Sequence, residues 1–136
     1  MYNEQVLVDR LRTITGYSVE LSSGNNIEMT QSTELPKLYV GHIQIRVENK
    51  EDWFVDAYRE NDNNYILTTE INYLCLRSEW AETITTIREA YKGWSPFGQK
   101  EANASSITFV GAMLKGGNDK VVWWNEVVGL IYPRIT

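Results

Sequence analysis

Histidine occurs only once in the chain, at position 42. A nucleophilic relay of serine, histidine and an acid would have to use this residue, and no Gly-x-Ser-x-Gly turn is present to hold the serine. No cysteine or carboxylate stands at metal-ligand spacing around it. We therefore expect His42 to be a sheet histidine with satisfied hydrogen bonds, not a catalytic or metal-binding group.

A thiol and a pair of acids are the other groups that could carry chemistry. Cys75 falls in the apolar row of a predicted strand, where a thiol is inert unless positive charge or a helix N-terminus stabilises the thiolate. Arg77 and a helix starting near Ser78 could do this, but a core position is favoured. Glu79 and Glu82 could act as acid and base, yet acids are common in a first helical turn because they interact with the helix dipole. No phosphate-binding glycine pattern is present. We expect no enzyme, catalytic residue, cofactor or metal.

The composition is that of one folded domain over residues 1–136. A net charge of −5 with 43% apolar residues excludes an intrinsically disordered chain. The thirteen Lys and Arg residues are scattered singly, so we expect no nucleic-acid-binding surface. The single cysteine excludes an intrachain disulfide and fits a reducing compartment. The N-terminus does not resemble a signal peptide, and no apolar run approaches the ~20 residues that cross a bilayer. We expect a cytoplasmic location and no membrane partner.

The first elements are a helix, a strand and a long loop. Residues 4–15 have an apolar stripe at helical spacing, with Asn3 as N-cap and Gly16 as C-cap. Residues 17–21 alternate as a half-buried strand does. The polar loop 22–36 is long enough to suggest a segment that becomes ordered when it binds a partner. An ordinary variable surface loop is an equally favoured interpretation.

Residues 37–48 predict a strand that changes face. Apolar residues occupy even positions first and odd positions afterwards: Leu38, Val40, then Ile43, Ile45 and Val47. An inserted residue produces such a change, so Gly41-His42 is a candidate bulge. Burial of both faces at the start of the strand would explain the pattern equally well.

Further strands are predicted at 53–58 and 65–77, and a C-terminal hairpin at 106–132 with its turn at 115–119. The odd residues from Tyr65 to Cys75 form the inner row of the second of these strands. The last strand is apolar on both faces, so it either lies at the centre of the sheet or leaves one face for another subunit.

A long helix is predicted over residues 78–93. Ser78 is its expected N-cap and Gly93 its left-handed C-cap, and Trp94 and Pro96 complete a rigid corner. Its apolar stripe should cover the sheet, and consists of Trp80, Ile84, Ile87 and Tyr91. The fold class is therefore α+β, a mainly antiparallel sheet packed by two helices.

Aromatic residues are abundant near the end of the chain. Trp123 and Trp124 in the last strand are candidate interface residues, as are Ile27 and Met29 in the polar loop, since interfaces concentrate large apolar groups. A core of large residues would give the same composition.

Several short motifs accompany this order of elements. They are Leu-Val-Asp-Arg-Leu in the first helix, the ending Ala-Tyr-Lys-Gly-Trp-Ser-Pro at 90–96, Phe-Val-Gly at 109–111, and a tryptophan-containing final strand at 122–128. Together, the order of elements and these motifs resemble the tail terminator proteins of long-tailed bacteriophages. The segments 22–34 and 99–105 do not match that family.

The resemblance implies a structural protein of the virion tail. It would form a homohexameric ring on the last ring of tail-tube protein, stop tube polymerisation and present a surface to the head connector, while DNA passes through the lumen without specific binding. Acids in the turns are candidates for the lumen lining: Glu51, Asp52, Glu60 and Asp62. The alternatives are a head-to-tail joining or tail-completion (neck) protein and, more distantly, a small ligand-binding or enzymatic α+β domain.

Overall fold

The structure, a computed structural model, describes residues 2–22, 35–47, 64–96 and 106–133. The elements are α1 (Glu4–Thr15), β1 (Ser18–Leu21), β2 (Lys37–Val40), β3 (Gln44–Val47), β4 (Asn64–Leu76), α2 (Trp80–Tyr91), β5 (Thr108–Gly117) and β6 (Val121–Pro133). The predicted α+β fold class is confirmed, because two helices accompany one mainly antiparallel sheet in a single compact domain. The strand predicted at 53–58 lies outside the described residues.

The sheet has the order β1-β2-β4-β6-β5, and β3 pairs with the other half of β4. The two longest strands, β4 and β6, pair antiparallel over thirteen residues and form its centre. The central position of β6 is one of the two arrangements that its apolar faces allowed. β1 and β2 are parallel neighbours, which the local sequence pattern does not predict, because hydrophobic alternation is the same in either orientation.

Both helices pack on one face of the sheet, called the helix face. The odd residues of β4 from Leu67 to Cys75 and the even residues of β6 from Val122 to Leu130 point to this face. The predicted inner row of β4 is therefore confirmed over residues 67–75. The stripe of α2 joins the same core: Ile87 and Tyr91 are fully buried and Trp80 and Ile84 pack against them. The other face, on which none of the described helices packs, is called the open face.

The change of face between β2 and β3 is a bulge. Val40 lies opposite Ile71, and Gln44 lies opposite Thr68. Three residues between β2 and β3, at positions 41–43, therefore face only two residues of β4, at positions 69 and 70. This insertion turns Leu38 and Ile45 to the same helix face although one is even and the other odd. The bulge hypothesis at Gly41-His42 is confirmed.

The ends of α1 follow the sequence prediction. The side chain of Asn3 accepts a hydrogen bond from the N–H of Val6 at 3.1 Å. Gly16 adopts a left-handed conformation with φ 71°, and its N–H donates to Arg12 O. Both ends are determined locally, because each cap satisfies backbone groups within one turn.

The start of α2 differs from the prediction, which named Ser78 as N-cap. Ser78 lies within a 3₁₀ turn, Arg77–Glu79, and the residue at the cap position is Glu79, which makes no side-chain capping bond. The N–H of Trp80 donates to Arg77 O instead. The N–H of Trp80 is therefore satisfied by a backbone carbonyl of the 3₁₀ turn, whereas the prediction assigned a free N–H of the first helical turn to the hydroxyl of Ser78.

The end of α2 also differs in detail. Gly93 has the predicted positive φ, 79°, but it is the third residue of a turn closed by Trp94 N–H donating to Tyr91 O at 3.1 Å. With Lys92 at φ −63° and ψ 125°, this is a type II turn, which requires a glycine-like residue at that position. Trp94 packs against the core, as predicted, and the guanidinium of Arg10 lies 5.2 Å from its ring centroid.

Candidate functional site

Strand β5 forms one edge of the sheet and exposes large apolar side chains. Its exposed members have 42–56% of their surface accessible, and they are Phe109, Val110, Met113 and Leu114. β5 pairs with β6 on one side only, and no described strand pairs with its other side. An apolar edge strand of this kind is typical of a surface that contacts another polypeptide. We call these four residues the β5 patch.

Two irregularities divide the β5 edge. The register with β6 shifts at Val110 and again at Lys115, so that the regular segment between them is Gly111–Leu114. Bulges and an exposed lysine limit uncontrolled pairing of an edge strand. The segment open to regular pairing is therefore short.

Arg88 of α2 connects the β5 patch to the interior. Its guanidinium carbon lies 4.5 Å from the ring centroid of Phe109, and its Nε donates to Glu126 Oε1 at 3.0 Å. The ion pair holds the guanidinium over the ring, which fixes the exposed aromatic side chain in place. Phe109 is thus a preorganised part of the patch.

Glu126 is a fully buried acid surrounded by donors. Besides Arg88, it accepts hydrogen bonds from Tyr91 OH at 2.7 Å, Tyr73 OH at 3.3 Å and Trp124 Nε1 at 3.1 Å. All four contacts are donated to the acid, which fits an ionised carboxylate because only that form accepts without donating. Glu126 was not among the predicted site residues. The sequence feature that could have identified Glu126 is its position, because it is a charged residue in the middle of a strand that is apolar on both faces.

The two tyrosines are strongly affected by their surroundings. The pKa of Tyr73 lies far above its usual value because the hydroxyl is buried and faces the Glu126 carboxylate. Burial and the same carboxylate raise the pKa of Tyr91. Both phenols therefore act as permanent hydrogen-bond donors within the core.

A second polar cluster lies on the open face, where Asn72 and Asn125 stand directly opposite each other. Asn72 Oδ1 accepts from Asn125 Nδ2 at 3.0 Å and from Trp123 Nε1 at 3.1 Å. The indole N–H groups of both predicted interface tryptophans are thus used within the chain, and the ring of Trp124 packs edge-on against Trp80 with centroids 5.1 Å apart. Their role at an interface remains a prediction.

The bulge between β2 and β3 opens a cleft of about 410 Å³. Five of its seven lining residues have polar side chains, and the full lining consists of Ser22, Gly41, His42, Gln44, Thr68, Glu70 and Val127. His42 is exposed and lies in the bulge, outside both strands, so its predicted position within the sheet was wrong. The inserted residue removes His42 from the ladder. The cleft could hold a small polar ligand, because its volume falls within the range of ligand pockets.

The remaining predicted site residues fall into two groups. Ile27, Met29 and the four candidate lumen acids, Glu51, Asp52, Glu60 and Asp62, lie outside the described residues. Cys75 is fully buried, and burial raises the pKa of its thiol, which agrees with the expected core role. Within the described ranges, no three metal-ligating side chains come together. None of the described helices is long and apolar enough to span a membrane.

Comparison with protein-family models finds no matching family, and comparison with curated proteins finds no significant match.

Proposed function

We propose that this chain is a structural virion protein, a tail terminator that forms a hexameric ring on the last ring of the tail tube. It stops polymerisation of the tube and offers the surface that joins the head connector. The proposal combines the resemblance of the sequence to that family with one structural observation, the β5 patch, which supports an assembling protein.

The β5 patch supports assembly because exposed apolar groups concentrate there. Four of the eight large apolar side chains exposed in the described part of the chain belong to this one strand. Exposed apolar residues that are scattered singly need no explanation, whereas several large apolar side chains along one edge strand are typical of a surface that contacts another polypeptide. Arg is also one of the residue types that carry most binding energy at interfaces, and Phe is enriched in interface composition.

A ring requires two different contact surfaces on each subunit, because a heterologous contact closes by rotation. Among the described strands, β5 lies at one edge of the sheet, and β1 and β3 lie at the other. The net charge of −5 suits a lumen through which DNA passes, since like charges repel. Both features support the ring, and the second also fits a neck protein.

The test is polymerisation of tail-tube protein in the presence of the purified chain. We expect tubes to stop growing and to carry a ring at one end by electron microscopy. Leu114→Asp should abolish this effect by placing a charge in the β5 patch. Leu76→Asp introduces the same charge at an exposed leucine outside the patch and should retain it. Unchanged tube growth with the wild-type chain would contradict the terminator function. Binding to heads but not to tubes would favour the neck protein.

The cleft beside His42 favours a second candidate, a small ligand-binding domain. Glu70, Gln44 and Thr68 offer hydrogen-bonding groups to a polar molecule, and Val127 offers apolar surface. Screening small polar compounds by NMR, with Thr68→Val as the control, tests this candidate. Specific shifts at the cleft that the variant loses would support it.

A further inference from the structure

A carboxylate lies in the cleft that the bulge between β2 and β3 opens. Of the described residues that line this cleft, Glu70 is the only acid, and no lysine or arginine is among them. Glu70 is exposed on the open face, and its carboxylate forms no hydrogen bond or ion pair with another described residue. The cleft therefore presents a negative charge that these parts of the chain leave uncompensated.

Glycines on two sides make room around this carboxylate. The N–H of Gly41 donates to Glu70 O at 2.8 Å, and a Cβ at Gly41 would lie 3.6 Å from that of Glu70. Val127 lies directly opposite Glu70, and Gly111 lies opposite Val127, where an added Cβ would meet no atom within 4 Å. Glycine within a strand marks a place where a ligand can approach closely. The sheet surface is thus open on both sides of Glu70 and Val127.

Hydrogen-bond acceptors accompany the negative charge. Gln44 lies directly opposite Thr68, which stands two residues before Glu70 on the same face of β4. The side chains of Gln44 and Thr68 make no hydrogen bond to other described residues, so an amide oxygen and a hydroxyl oxygen remain for a ligand. An ammonium group has three donors and no acceptor, and its hydrogen bonds to a carboxylate are the stronger, charge-assisted kind.

Neighbouring polar groups do not compete for such a ligand. The carboxylate of Glu4 belongs to α1 on the helix face and accepts from Ile43 N–H at 2.9 Å. Asn72 follows Glu70 on the open face, and its Oδ1 already accepts from two donors. Glu70 therefore determines the sign of the charge in the cleft. It repels an anion and attracts a cation, and the net charge of −5 acts in the same direction.

We propose that this cleft binds a small organic cation, an alkylammonium ion whose nitrogen donates to Glu70 while its aliphatic chain contacts Val127. The volume of about 410 Å³ is near the lower end of the ~300–1,000 Å³ of ligand pockets, which suits a small molecule. The inference deepens the second candidate of the proposed function, on whose cleft it rests, by naming the chemical class of the ligand.

The test is an NMR titration of the full chain with three compounds that share one aliphatic chain. They are butylamine, which is a cation at neutral pH, butanol and butyrate. Butylammonium should shift the backbone amide signals of the cleft and bind about fivefold more tightly than butanol, the upper value for an exposed ion pair. Butyrate should leave these signals unchanged. Added salt should weaken the binding of butylammonium and not that of butanol.

Two variants assign the charge preference to one residue. Glu70→Gln removes the charge and keeps the size of the side chain, so butylammonium and butanol should bind this variant equally. Glu89→Gln is the matched control, because this exposed acid lies on α2 at the other side of the sheet. Its replacement should leave the fivefold preference unchanged.

The outcomes separate this inference from the functions on which it does and does not rest. Butanol or butyrate that binds as tightly as butylammonium would overturn the cation and keep the small ligand-binding candidate. A preference for butylammonium that persists in Glu70→Gln would also overturn the inference. If none of the three compounds shifts the cleft signals, the inference and that candidate both fail. The terminator function is judged separately by tube growth, which does not depend on the cleft.

Discussion

Replacement of Glu126 by glutamine removes the buried charge and keeps the size of the side chain. The amide retains one acceptor oxygen, but it places a donor at the other position and loses the ion pair with Arg88. A hydrogen bond to a charged group contributes about 1.5–3 kcal/mol and a neutral one about 1 kcal/mol. Arg88 remains 37% exposed, so water can solvate its charge and the full cost of an orphaned buried ion does not apply. We expect Glu126→Gln to lower the free energy of unfolding by about 2–3 kcal/mol.

Urea denaturation and calorimetry measure this effect. For a domain of this length, each kcal/mol shifts Tm by about 3–4 °C, so Tm should fall by about 8 °C. Glu70→Gln is the matched control, because this acid is exposed on the open face and its replacement should change stability by less than about 0.5 kcal/mol. A double-mutant cycle with Arg88→Met should show a coupling of about 1–2 kcal/mol.

The reasoning is refuted if Glu126→Gln unfolds within about 0.5 kcal/mol of the wild type with the same denaturant dependence. Additive effects in the double-mutant cycle would show that the ion pair contributes nothing. In that case the position of Phe109 would not depend on the buried acid, and the β5 patch would not be preorganised by it.

Gly93→Val should lower stability by about 1–2 kcal/mol, because no atom obstructs its side chain and the positive φ alone is costly. Gly111→Ala, with equal space and no positive φ, should be nearly neutral in thermal unfolding; equal effects would contradict the turn assignment. The pKa values of Tyr73 and Tyr91 are raised, so the contribution of these tyrosines to the free energy of unfolding is fully present below pH ~10. Above that pH it decreases, because the tyrosines of the unfolded chain lose protons that those of the folded chain keep. The urea midpoint of unfolding, measured as a function of pH, and the absorbance of tyrosinate at alkaline pH check this prediction. Ionisation of both tyrosines near pH ~10 in the folded protein would contradict it. A backbone N–H of the bulge lowers the pKa of Glu4, so its contribution is present above pH ~4.3 and is lost as pH falls through the lowered value. Glu4→Gln should therefore flatten the acid limb of the stability profile, and an unchanged limb would contradict this.

The β5 patch and the buried acid show why the candidate site could not be predicted from the sequence. Phe109 and Arg88 are 21 positions apart, and Arg88 and Glu126 are 38 apart, so only the packing of α2 beside β5 and β6 brings the three together. The sequence identified the hairpin and its apolar character. It did not show which of its two strands would lie at the edge, because both are rich in apolar residues.

Local features were determined by the sequence itself. The caps of α1 and the inner row of β4 follow from hydrogen bonds or side-chain alternation within a few residues, and each is found in the structure. The same alternation made the bulge at Gly41-His42 one of two possible arrangements, and the structure has the bulge. The positive φ of Gly93 was predicted for the same reason, since the turn that requires it involves only neighbouring residues.

Only the tertiary structure decided the parallel pairing of β1 with β2, the 3₁₀ turn that replaces Ser78 as a cap, the exposure of His42, and the burial of Glu126. These features depend on partners far along the chain, and the 3₁₀ turn is no exception, because the N–H of Arg77 donates to Lys120 O at 2.7 Å. A strand has the same alternation in either orientation, and an acid has the same identity in solvent or in the core. The physical reason is that burial and strand order minimise the free energy of the whole domain, while caps and turns satisfy backbone groups that lie within one segment.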